Sequence, residues 1–233
     1  MNDREREKAL AAQAAMQFVA DGMVIGLGTG STAEHAIRLL GGLVRDGLRV
    51  SGVPTSERTA ALARAEGIPL LLPERGPTID LTIDGADEVL VNGDAIKGAG
   101  GALVREKIVA TASRHVVFIV DSSKLVASLG AQPLPVEVVE FGHAFVARQL
   151  EDLGFAVTMR ASRDGGPYRS ENGNPILDAR LRSGRALPDD ATLRGIAGVV
   201  EHGLFRAIAR HVVVGRGHTT EIYEKSEVRT GRL

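Results

Sequence analysis

Short apolar segments alternate with amphipathic helical segments through the first 120 residues, and this alternation constrains the fold more than any other feature. The predicted strands cover 23–27, 48–53, 68–72, 79–83 and 115–120, and the predicted helices cover 4–20, 31–44, 56–66 and 102–113. Strands that alternate with helices form a parallel sheet, whose ligands collect beyond the carboxyl ends of the strands. The sequence therefore predicts an α/β protein with a doubly wound, mostly parallel sheet.

The pattern changes after Pro133. The next segments are predicted as strand, helix, strand, strand, helix and strand, over 136–139, 142–153, 156–159, 175–178, 190–196 and 198–201. This βαββαβ order is typical of a ferredoxin-like fold. A last apolar strand over 212–214 is predicted to rejoin the first sheet. We therefore predict a small ferredoxin-like domain over 132–205, inserted into a Rossmann-like catalytic domain formed by 1–131 and 206–233.

The charge and composition exclude several classes of protein. The formal net charge is −1, with acidic and basic residues interspersed, so the chain lacks the basic face that nucleic acid or an anionic membrane requires. No apolar run approaches the roughly 20 residues of a membrane helix. The absence of cysteine excludes thiol nucleophiles and disulfides. We expect a cytoplasmic protein that binds neither nucleic acid nor membrane.

Three polar motifs directly follow predicted strands. They are Gly28–Thr32 after the first strand, Asp84–Glu88 after the fourth and Asp121–Lys124 after the fifth. Because the carboxyl ends of parallel strands meet at one edge of a sheet, we expect the motifs to surround one ligand site.

The turn at Gly28–Thr32 resembles a nucleotide-binding loop, but its details differ. A dinucleotide fingerprint requires Gly or Ala where Ser31 stands, and a phosphate loop of the ATPase kind ends in Gly-Lys-Ser/Thr. What remains is a strand, a turn with hydroxyl groups and a helix N-terminus, which together suit a phosphate monoester. A tight turn with a Ser/Thr cap is the alternative.

Asp84 and Asp87 flank a Gly-Ala turn, so both carboxylates are expected to face one cleft. Neighbouring carboxylates raise one another's pKa, which allows one to hold a proton while the other is ionised. Such a pair suits sugar hydroxyls and proton transfer to a ring oxygen. The alternatives are a plain Asp-Gly turn and a divalent metal site, although the sequence offers no further ligand set for a metal.

Lys97 precedes the loop Gly98-Ala99-Gly100-Gly101, whose small side chains let backbone amides approach a ligand. A lysine beside free amides at a helix start suits a developing oxyanion. Glu106 follows in the same helix as a candidate general base, provided that a partly dry pocket raises its pKa. The alternative for Glu106 is an exposed ion pair with Lys107.

Lys124 is a candidate cation for a phosphate or sugar oxygen, with a solvated lysine after a helix cap as the alternative. The six histidines show no spacing typical of metal ligands, and none is assigned a role.

Taken together, these motifs resemble one family. Gly-Thr-Gly-Ser-Thr, Asp-Gly-Ala-Asp-Glu, the lysine loop with Arg-Glu-Lys-Ile, Asp-x-Ser-Lys and Pro-Leu-Pro-Val-Glu-Val occur in the order typical of ribose-5-phosphate isomerase of type A. The similarity runs from the first helix to about Phe205. The resemblance implies reversible conversion of ribose 5-phosphate to ribulose 5-phosphate in the non-oxidative pentose phosphate pathway. It also implies no metal, no organic cofactor, and a homodimer or a homotetramer.

The resemblance further implies a role for each matching residue. Glu106 would be the proton acceptor, Lys97 would stabilise an enediolate oxygen, and Asp84 or Asp87 would assist ring opening. Substrate binding is implied for Thr29, Gly30, Ser31, Thr32, Asp84, Gly85, Ala86, Asp87, Lys97, Gly98, Ala99, Gly100 and Lys124, with Lys8 as a further candidate.

The chain departs from the family pattern in two places. Ala99 and Gly101 rearrange the small residues of the lysine loop without adding bulk, and the segment 215–221 lacks the usual Gly-Thr/Pro-Asp-Gly ending. The competing class is a non-catalytic sugar-phosphate sensor, because related α/β sheets serve as effector domains of transcription regulators. The helix before Met23 is too short for a DNA-binding helix pair. A nicotinamide enzyme is the weaker rival.

Overall fold

The computed structural model describes residues 2–225. In this range the helices are α1 (Asp3–Ala15), α2 (Ser31–Arg45), α3 (Glu57–Ala65), α4 (Leu103–Thr111), α5 (His143–Asp152) and α6 (Asp190–Arg194). The strands are β1 (Val24–Leu27), β2 (Ser51–Pro54), β3 (Ile79–Asp84), β4 (Glu88–Val89), β5 (Ala95–Ile96), β6 (Ser113–Asp121), β7 (Leu134–Val138), β8 (Phe155–Met159), β9 (Ile176–Leu181), β10 (Val199–His202), β11 (Leu204–Phe205), β12 (His211–Arg216) and β13 (Thr219–Glu224). Met1 and residues 226–233, which the predicted large domain includes, lie outside the described residues.

The larger sheet has the strand order β13-β12-β6-β3-β1-β2 within residues 2–225. Strands β12, β6, β3, β1 and β2 are parallel, and β13 pairs antiparallel with β12 at one edge. Strand β12 pairs with β6, although the whole small domain lies between them in the sequence. The predicted return of residues 212–214 to the first sheet is therefore confirmed. The doubly wound, mostly parallel sheet is confirmed.

Both faces of this sheet are covered, as β6 shows. Val117 and Ile119 pack in the core that includes α1 and α2, whereas Val116, Phe118 and Val120 pack in the core on the other face. This division follows from the strand itself, because successive side chains point to opposite faces. Each fully buried aliphatic side chain contributes about 1.5–3 kcal/mol. Such two-sided burial explains why the strands read as continuous apolar runs.

The small domain forms a separate antiparallel sheet with the order β10-β7-β9-β8. Together with α5 and α6 its strands follow the βαββαβ order, so the ferredoxin-like prediction is confirmed. Its core includes Val136, Leu150 and Phe155. Where the chain leaves the small domain, Leu204 packs in the core of that domain, whereas Phe205 packs in a core of the larger sheet.

The predicted strand over 68–72 is wrong. Among the described residues, Leu70 forms only an isolated bridge with Gly52, and β2 is the last strand at this side of the sheet. Pro69 lies inside this segment and Pro73 follows it, and a proline has no N–H group to donate to a strand ladder. The larger sheet therefore lacks the strand that the sequence predicted beyond β2.

Several boundaries also differ from the prediction. Helix α1 ends at Ala15 and continues as a 3-10 turn over Met16–Phe18. Strand β2 begins at Ser51 rather than at 48, because the N–H of Leu48 donates to the carbonyl of Leu43 and closes the end of α2. Strands β4, β5 and β11, which form a three-stranded sheet, and strand β13 are additions that the sequence pattern did not predict.

Candidate active site

A cavity of about 280 Å³ lies at the carboxyl ends of the parallel strands. All three polar motifs contribute to it, as parallel pairing predicts. Its lining residues are Arg4, Lys8, Thr29, Gly30, Ser31, Thr32, Gly85, Ala86, Asp87, Lys97, Gly98, Gly100, Glu106, Asp121, Ser123 and Lys124.

The turn between β1 and α2 forms one wall of the cavity. The hydroxyl of Thr29 bonds with the hydroxyls of Thr55 at 2.8 Å, Ser56 at 2.9 Å and Thr59 at 3.1 Å, which holds the turn in place. Gly30, with φ of 113°, precedes the helix, and no side chain among residues 2–225 caps α2. The N–H groups of its first turn are therefore free to bind an anion.

Asp84, Lys97 and Glu106 form a buried triad. Lys97 Nζ lies 3.0 Å from Asp84 Oδ2 and 3.2 Å from Glu106 Oε1. Asp84 Oδ1 accepts from the N–H of Gly85 at 2.7 Å and of Thr29 at 3.1 Å. Asp84 Oδ2 and Glu106 Oε2 are both buried without a hydrogen-bond partner in the described part of the chain, but Asp84 Oδ2 faces the Lys97 ammonium as an ion pair, whereas Glu106 meets that ammonium through Oε1. Of the two carboxyls, Glu106 is thus the one whose second oxygen is left for a ligand.

Burial determines the protonation of this triad. Desolvation raises the pKa of Glu106 to about 8, with a further contribution from the negative charge of Asp84, while Lys97 acts in the opposite direction. Burial also raises the pKa of Asp84, although Lys97 and two amide N–H groups favour its carboxylate form. Burial disfavours the Lys97 ammonium, but the charges of Asp84 and Glu106 outweigh that effect and raise its pKa. The site therefore combines a permanent cation with a carboxyl group whose pKa lies near neutral pH.

The alternative prediction, an exposed ion pair between Glu106 and Lys107, is wrong. Glu106 is 4% exposed, and Lys107 instead bonds to Glu201 at 2.8 Å and to the carbonyl of His202. The partly dry pocket that a general base requires is present.

The loop after Lys97 connects the triad to Asp87. Asp87 Oδ2 accepts from the N–H of Ala99 at 2.9 Å, and Lys97 Nζ donates to the carbonyl of Gly85 at 2.6 Å. The ammonium also lies 5.6 Å from the ring centroid of Phe205. These contacts hold Lys97 in one orientation at the wall of the cavity.

Besides Lys97, three cationic side chains line the same cavity as the first residues of α2: Arg4, Lys8 and Lys124. Arg4 and Lys8 share one face of α1, because residues four apart are neighbours on a helix. Lys8 Nζ pairs with Glu5 at 2.6 Å.

Glu7 attaches this part of α1 to two loops. It accepts from the N–H of Gly217 at 2.7 Å and from the N–H and hydroxyl of Ser122 at 3.0 and 2.8 Å. The Gly217 amide, together with the Ser122 donors, holds the pKa of Glu7 below its ordinary value. The divergent segment 215–221 thus supports the helix that carries Arg4 and Lys8.

The structure brings most of the predicted site residues to one cavity, but it moves two of them away from its wall. Asp84 is 1% exposed and lies behind Lys97, and neither Asp84 nor Ala99 is among the described residues that line the cavity. Of the other lining residues, Arg4 was not singled out from the sequence, whereas Asp121 and Ser123 belong to the predicted motif Asp121–Lys124 and were given no role of their own. The spacing of Arg4 and Lys8 on one helix was the available signal for Arg4.

Residues 2–225 contain no cluster of three or more His, Asp or Glu side chains that could hold a metal ion. In the same range, no helix is both long and apolar enough to cross a membrane.

The protein combines a doubly wound α/β sheet with a buried carboxyl–lysine site at the carboxyl edge of that sheet. The family model of ribose 5-phosphate isomerase A (phosphoriboisomerase A) matches residues 51–219. Ribose-5-phosphate isomerase A of Thermomicrobium roseum is 52% identical over 95% of this chain and 95% of its own length. That of Parvibaculum lavamentivorans is 47% identical over 96% of this chain and 100% of its own.

Solved structures show the same fold. A D-ribose-5-phosphate isomerase in complex with phospho-erythronic acid superposes with a TM-score of 0.91 at 37% identity, covering 96% of this chain and 100% of that chain. Ribose 5-phosphate isomerase A of Methanocaldococcus jannaschii superposes with a TM-score of 0.88 at 39% identity, covering 94% and 98%.

The chain belongs to the ribose 5-phosphate isomerase A family. It is an isomerase, and its reaction is the reversible isomerisation of ribose 5-phosphate. The resemblance carried by the motifs is confirmed, and the sensor alternative is not supported.

Proposed function

We propose that Glu106 is the base that interconverts ribose 5-phosphate and ribulose 5-phosphate. One observation carries this proposal: Glu106 lines the cavity with an oxygen that is buried and unpaired among the described residues. Glu106 takes the proton from C2 of the open-chain aldose, which leaves an enediolate. The proton on O2 moves to O1, the same carboxyl returns its proton to C1, and the ketose forms.

Lys97 supplies the positive charge that the enediolate requires. Its ammonium lies 3.2 Å from Glu106, so the cation and the base reach the same two carbons of a small ligand. The backbone N–H groups of Gly98 and Gly100 are further donors for the developing charge, whereas the N–H of Ala99 donates to Asp87. Asp84 acts through Lys97, since it is buried behind the ammonium at 3.0 Å.

Asp87 is the carboxylate that we assign to ring opening. It lines the cavity, whereas Asp84 does not. A carboxylate at this position accepts the proton of the anomeric hydroxyl while the bond from C1 to the ring oxygen breaks, and the carboxyl then gives that proton to the ring oxygen, which becomes a hydroxyl. Gly85 and Ala86, at the same wall, leave space for the sugar.

The phosphate binds at the other end of the cavity in this proposal. The first turn of α2 offers N–H groups and the hydroxyls of Ser31 and Thr32, and Lys8 and Lys124 offer charge. The phospho-erythronic acid bound by the solved relative carries a phosphate at one end and a carboxylate at the other. We infer that it binds in this cavity with its carboxylate at Lys97.

The test is turnover of ribose 5-phosphate by metal-stripped protein in D2O, followed by proton NMR. Wild-type protein is expected to form ketose with deuterium at C1, with and without EDTA. The Glu106→Gln variant is expected to lose about 10²–10⁴-fold in kcat, because positioned general bases contribute that much. Its affinity for phospho-erythronate is expected to remain.

Glu88→Gln is the matched control, because Glu88 is 2% exposed and bonds to backbone N–H groups away from the cavity wall. Rapid turnover and exchange in Glu106→Gln would remove Glu106 from the role of base. Activity that disappears with EDTA would contradict a metal-free reaction.

We also propose a homodimer in the cytoplasm and two domains divided as 1–131 with 206–233, and 132–205. The family resemblance supports the dimer. Phe141 and Phe145 on the small domain are 96% and 65% exposed, so they offer an apolar surface for contact. Light scattering after size-exclusion chromatography tests the proposal, since a monomeric mass at micromolar concentration would contradict it.

A further inference from the structure

The small domain holds the lysine loop by its carbonyl groups. Arg160, which directly follows β8, donates from Nη1 to the carbonyl of Gly98 at 2.9 Å and to the carbonyl of Ala99 at 3.1 Å. Both carbonyls belong to the loop that follows Lys97. A side chain from one domain therefore binds the backbone of a cavity wall in the other.

Arg160 is itself held in one orientation. Its Nε donates to Asp178 Oδ2 at 2.9 Å, and its Nη2 donates to the other oxygen of the same carboxylate. The guanidinium also lies 5.7 Å from the ring centroid of Tyr168, and its side chain is only 13% exposed. A bidentate pair with a carboxylate fixes the plane of a guanidinium, so the remaining donor has a defined direction.

Because the peptide bond is planar, the orientation of each carbonyl that Arg160 binds also fixes the orientation of the next N–H group in the loop. In a trans peptide, the carbonyl of one residue and the N–H of the next point in opposite directions. Because the carbonyls of Gly98 and Ala99 point to Arg160, the N–H groups of Ala99 and Gly100 point away from it. The N–H of Ala99 accordingly donates to Asp87, which lines the cavity.

The sequence of the loop permits this arrangement. Gly98 has φ of 104° and Gly101 has φ of 86°, which side chains rarely adopt. A Cβ on Gly101 would lie 2.1 Å from the hydroxyl of Tyr168, the residue beside Arg160. Small residues therefore let the loop approach Arg160 and Tyr168 closely.

We propose that Arg160, held by Asp178, is a positioning residue that keeps the N–H of Ala99 on Asp87 and turns the N–H of Gly100 toward the charge that forms on the substrate. The proposal rests on the proposed oxyanion role of the loop 98–100. Arg160 is not among the described residues that line the cavity, so it acts on the substrate through the loop. Its effect is confined to the end of the ligand where charge develops, because the phosphate end is bound by α1, α2 and Lys124.

The experiment compares Arg160→Gln and Arg160→Lys with wild-type protein, using ribose 5-phosphate, phospho-erythronate and inorganic phosphate. Arg160→Gln is expected to lower kcat about 10- to 100-fold, less than the loss of a whole oxyanion donor set, while KM changes less than about threefold. Affinity for phospho-erythronate is expected to fall with kcat, and inhibition by inorganic phosphate is expected to stay within about twofold. Arg160→Lys, which keeps a donor and the charge, is expected to recover part of kcat.

Arg180→Gln is the matched control, because Arg180 lies on β9 and donates to the carbonyl of Ala131, away from the loop. It is expected to behave as wild type. If Arg160→Gln does not fold, Asp178→Asn, which removes the charge that holds Arg160, is expected to show the same selective loss.

Unchanged kcat in the folded variants would overturn the proposal, and so would an equal loss of affinity for phospho-erythronate and inorganic phosphate. A wild-type protein that binds phospho-erythronate no more tightly than inorganic phosphate would instead overturn the proposed oxyanion role of the loop.

Discussion

The ammonium of Lys97 lies 3.2 Å from the carboxyl group of Glu106, with side chains that are only 3% and 5% exposed. Asp84 lies on the other side of the same ammonium at 3.0 Å. One cation thus faces two buried carboxyl groups. Because a single ammonium cannot fully neutralise both, Glu106 retains a proton more readily than it would in water. This shared lysine explains how one site contains both a proton acceptor near neutral pH and a permanent positive charge.

The first prediction concerns pH. Burial raises the pKa of Glu106 to about 8, and a general base acts in its deprotonated form. We therefore expect kcat/KM to rise tenfold per pH unit below about 8 and to level off above it. Measurements above about pH 6.5 avoid titration of the substrate phosphate, whose second pKa is about 6. A profile that is flat between pH 6.5 and 9 would contradict the assignment.

Replacing Lys97 should shift the pH profile of kcat/KM. Lys97 acts to lower the pKa of Glu106, so Lys97→Gln is expected to shift the rise in kcat/KM to higher pH, besides lowering its plateau. Lys124→Gln serves as the comparison, because Lys124 lines the cavity but is not an ion-pair partner of Glu106 in the described structure. It should raise KM and leave the position of the rise unchanged.

The second prediction concerns stability. Between about pH 4.5 and 8 the folded chain holds a proton on Glu106 that the unfolded chain has released. The contribution of Glu106 to the unfolding free energy of the wild type therefore falls as pH rises through this window, by at most about 1.4 kcal/mol per pH unit. Glu106→Gln lacks this proton exchange, so its stability relative to the wild type should increase from pH 5 to pH 8. Urea unfolding at several pH values measures the difference, and a difference that decreases with pH would contradict it.

The third prediction concerns Arg4, which lines the cavity one helical turn from Lys8. Arg4 is exposed, so its charge is partly screened and its contribution is expected to be at most about 1 kcal/mol. Arg4→Gln should raise KM about three- to fivefold with kcat unchanged, and this penalty should shrink at high salt. Arg38→Gln, on the exposed side of α2, is the control. A KM equal to that of the wild type at low salt would exclude Arg4 from phosphate binding.

The fourth prediction concerns Gly28. A Cβ at this position would lie 2.1 Å from Asp84 Oδ1 and 2.6 Å from Asp84 Cα, which no side-chain movement relieves. Gly28→Ala is expected to destabilise the protein by about 1–3 kcal/mol and to displace Asp84 from Lys97.

Gly42 in α2 provides the comparison for Gly28. A Cβ there meets only the end of the Arg45 side chain at 3.8 Å. Gly42→Ala should therefore be neutral or stabilising by up to about 1 kcal/mol, because alanine restricts the unfolded chain. Thermal unfolding with an activity assay distinguishes the two variants. Equal stability of Gly28→Ala and the wild type would show that β1 and β3 can move apart.

Structural elements that are marked by a pattern of a few residues could be predicted from the sequence. The apolar runs of β1, β3 and β6 and the glycine and aspartate motifs after them indicated a parallel sheet with a site at its carboxyl edge. Strands of two residues, such as β4 and β5, are too short to show a period. The alternating residues of β13 are mostly exposed, so they show no apolar run either.

The sequence by itself determined the fold class, the order of the two domains and the family, because these depend on periodicity and on motifs read along the chain. The tertiary structure alone decided that Asp84 lies behind Lys97, that Glu106 is buried with one oxygen unpaired within residues 2–225, and that Arg160 holds the lysine loop. Each of these relations joins residues from different elements, and burial and distance between elements depend on how the elements pack. The pKa of Glu106 follows from that packing, since desolvation and neighbouring charges produce the shift.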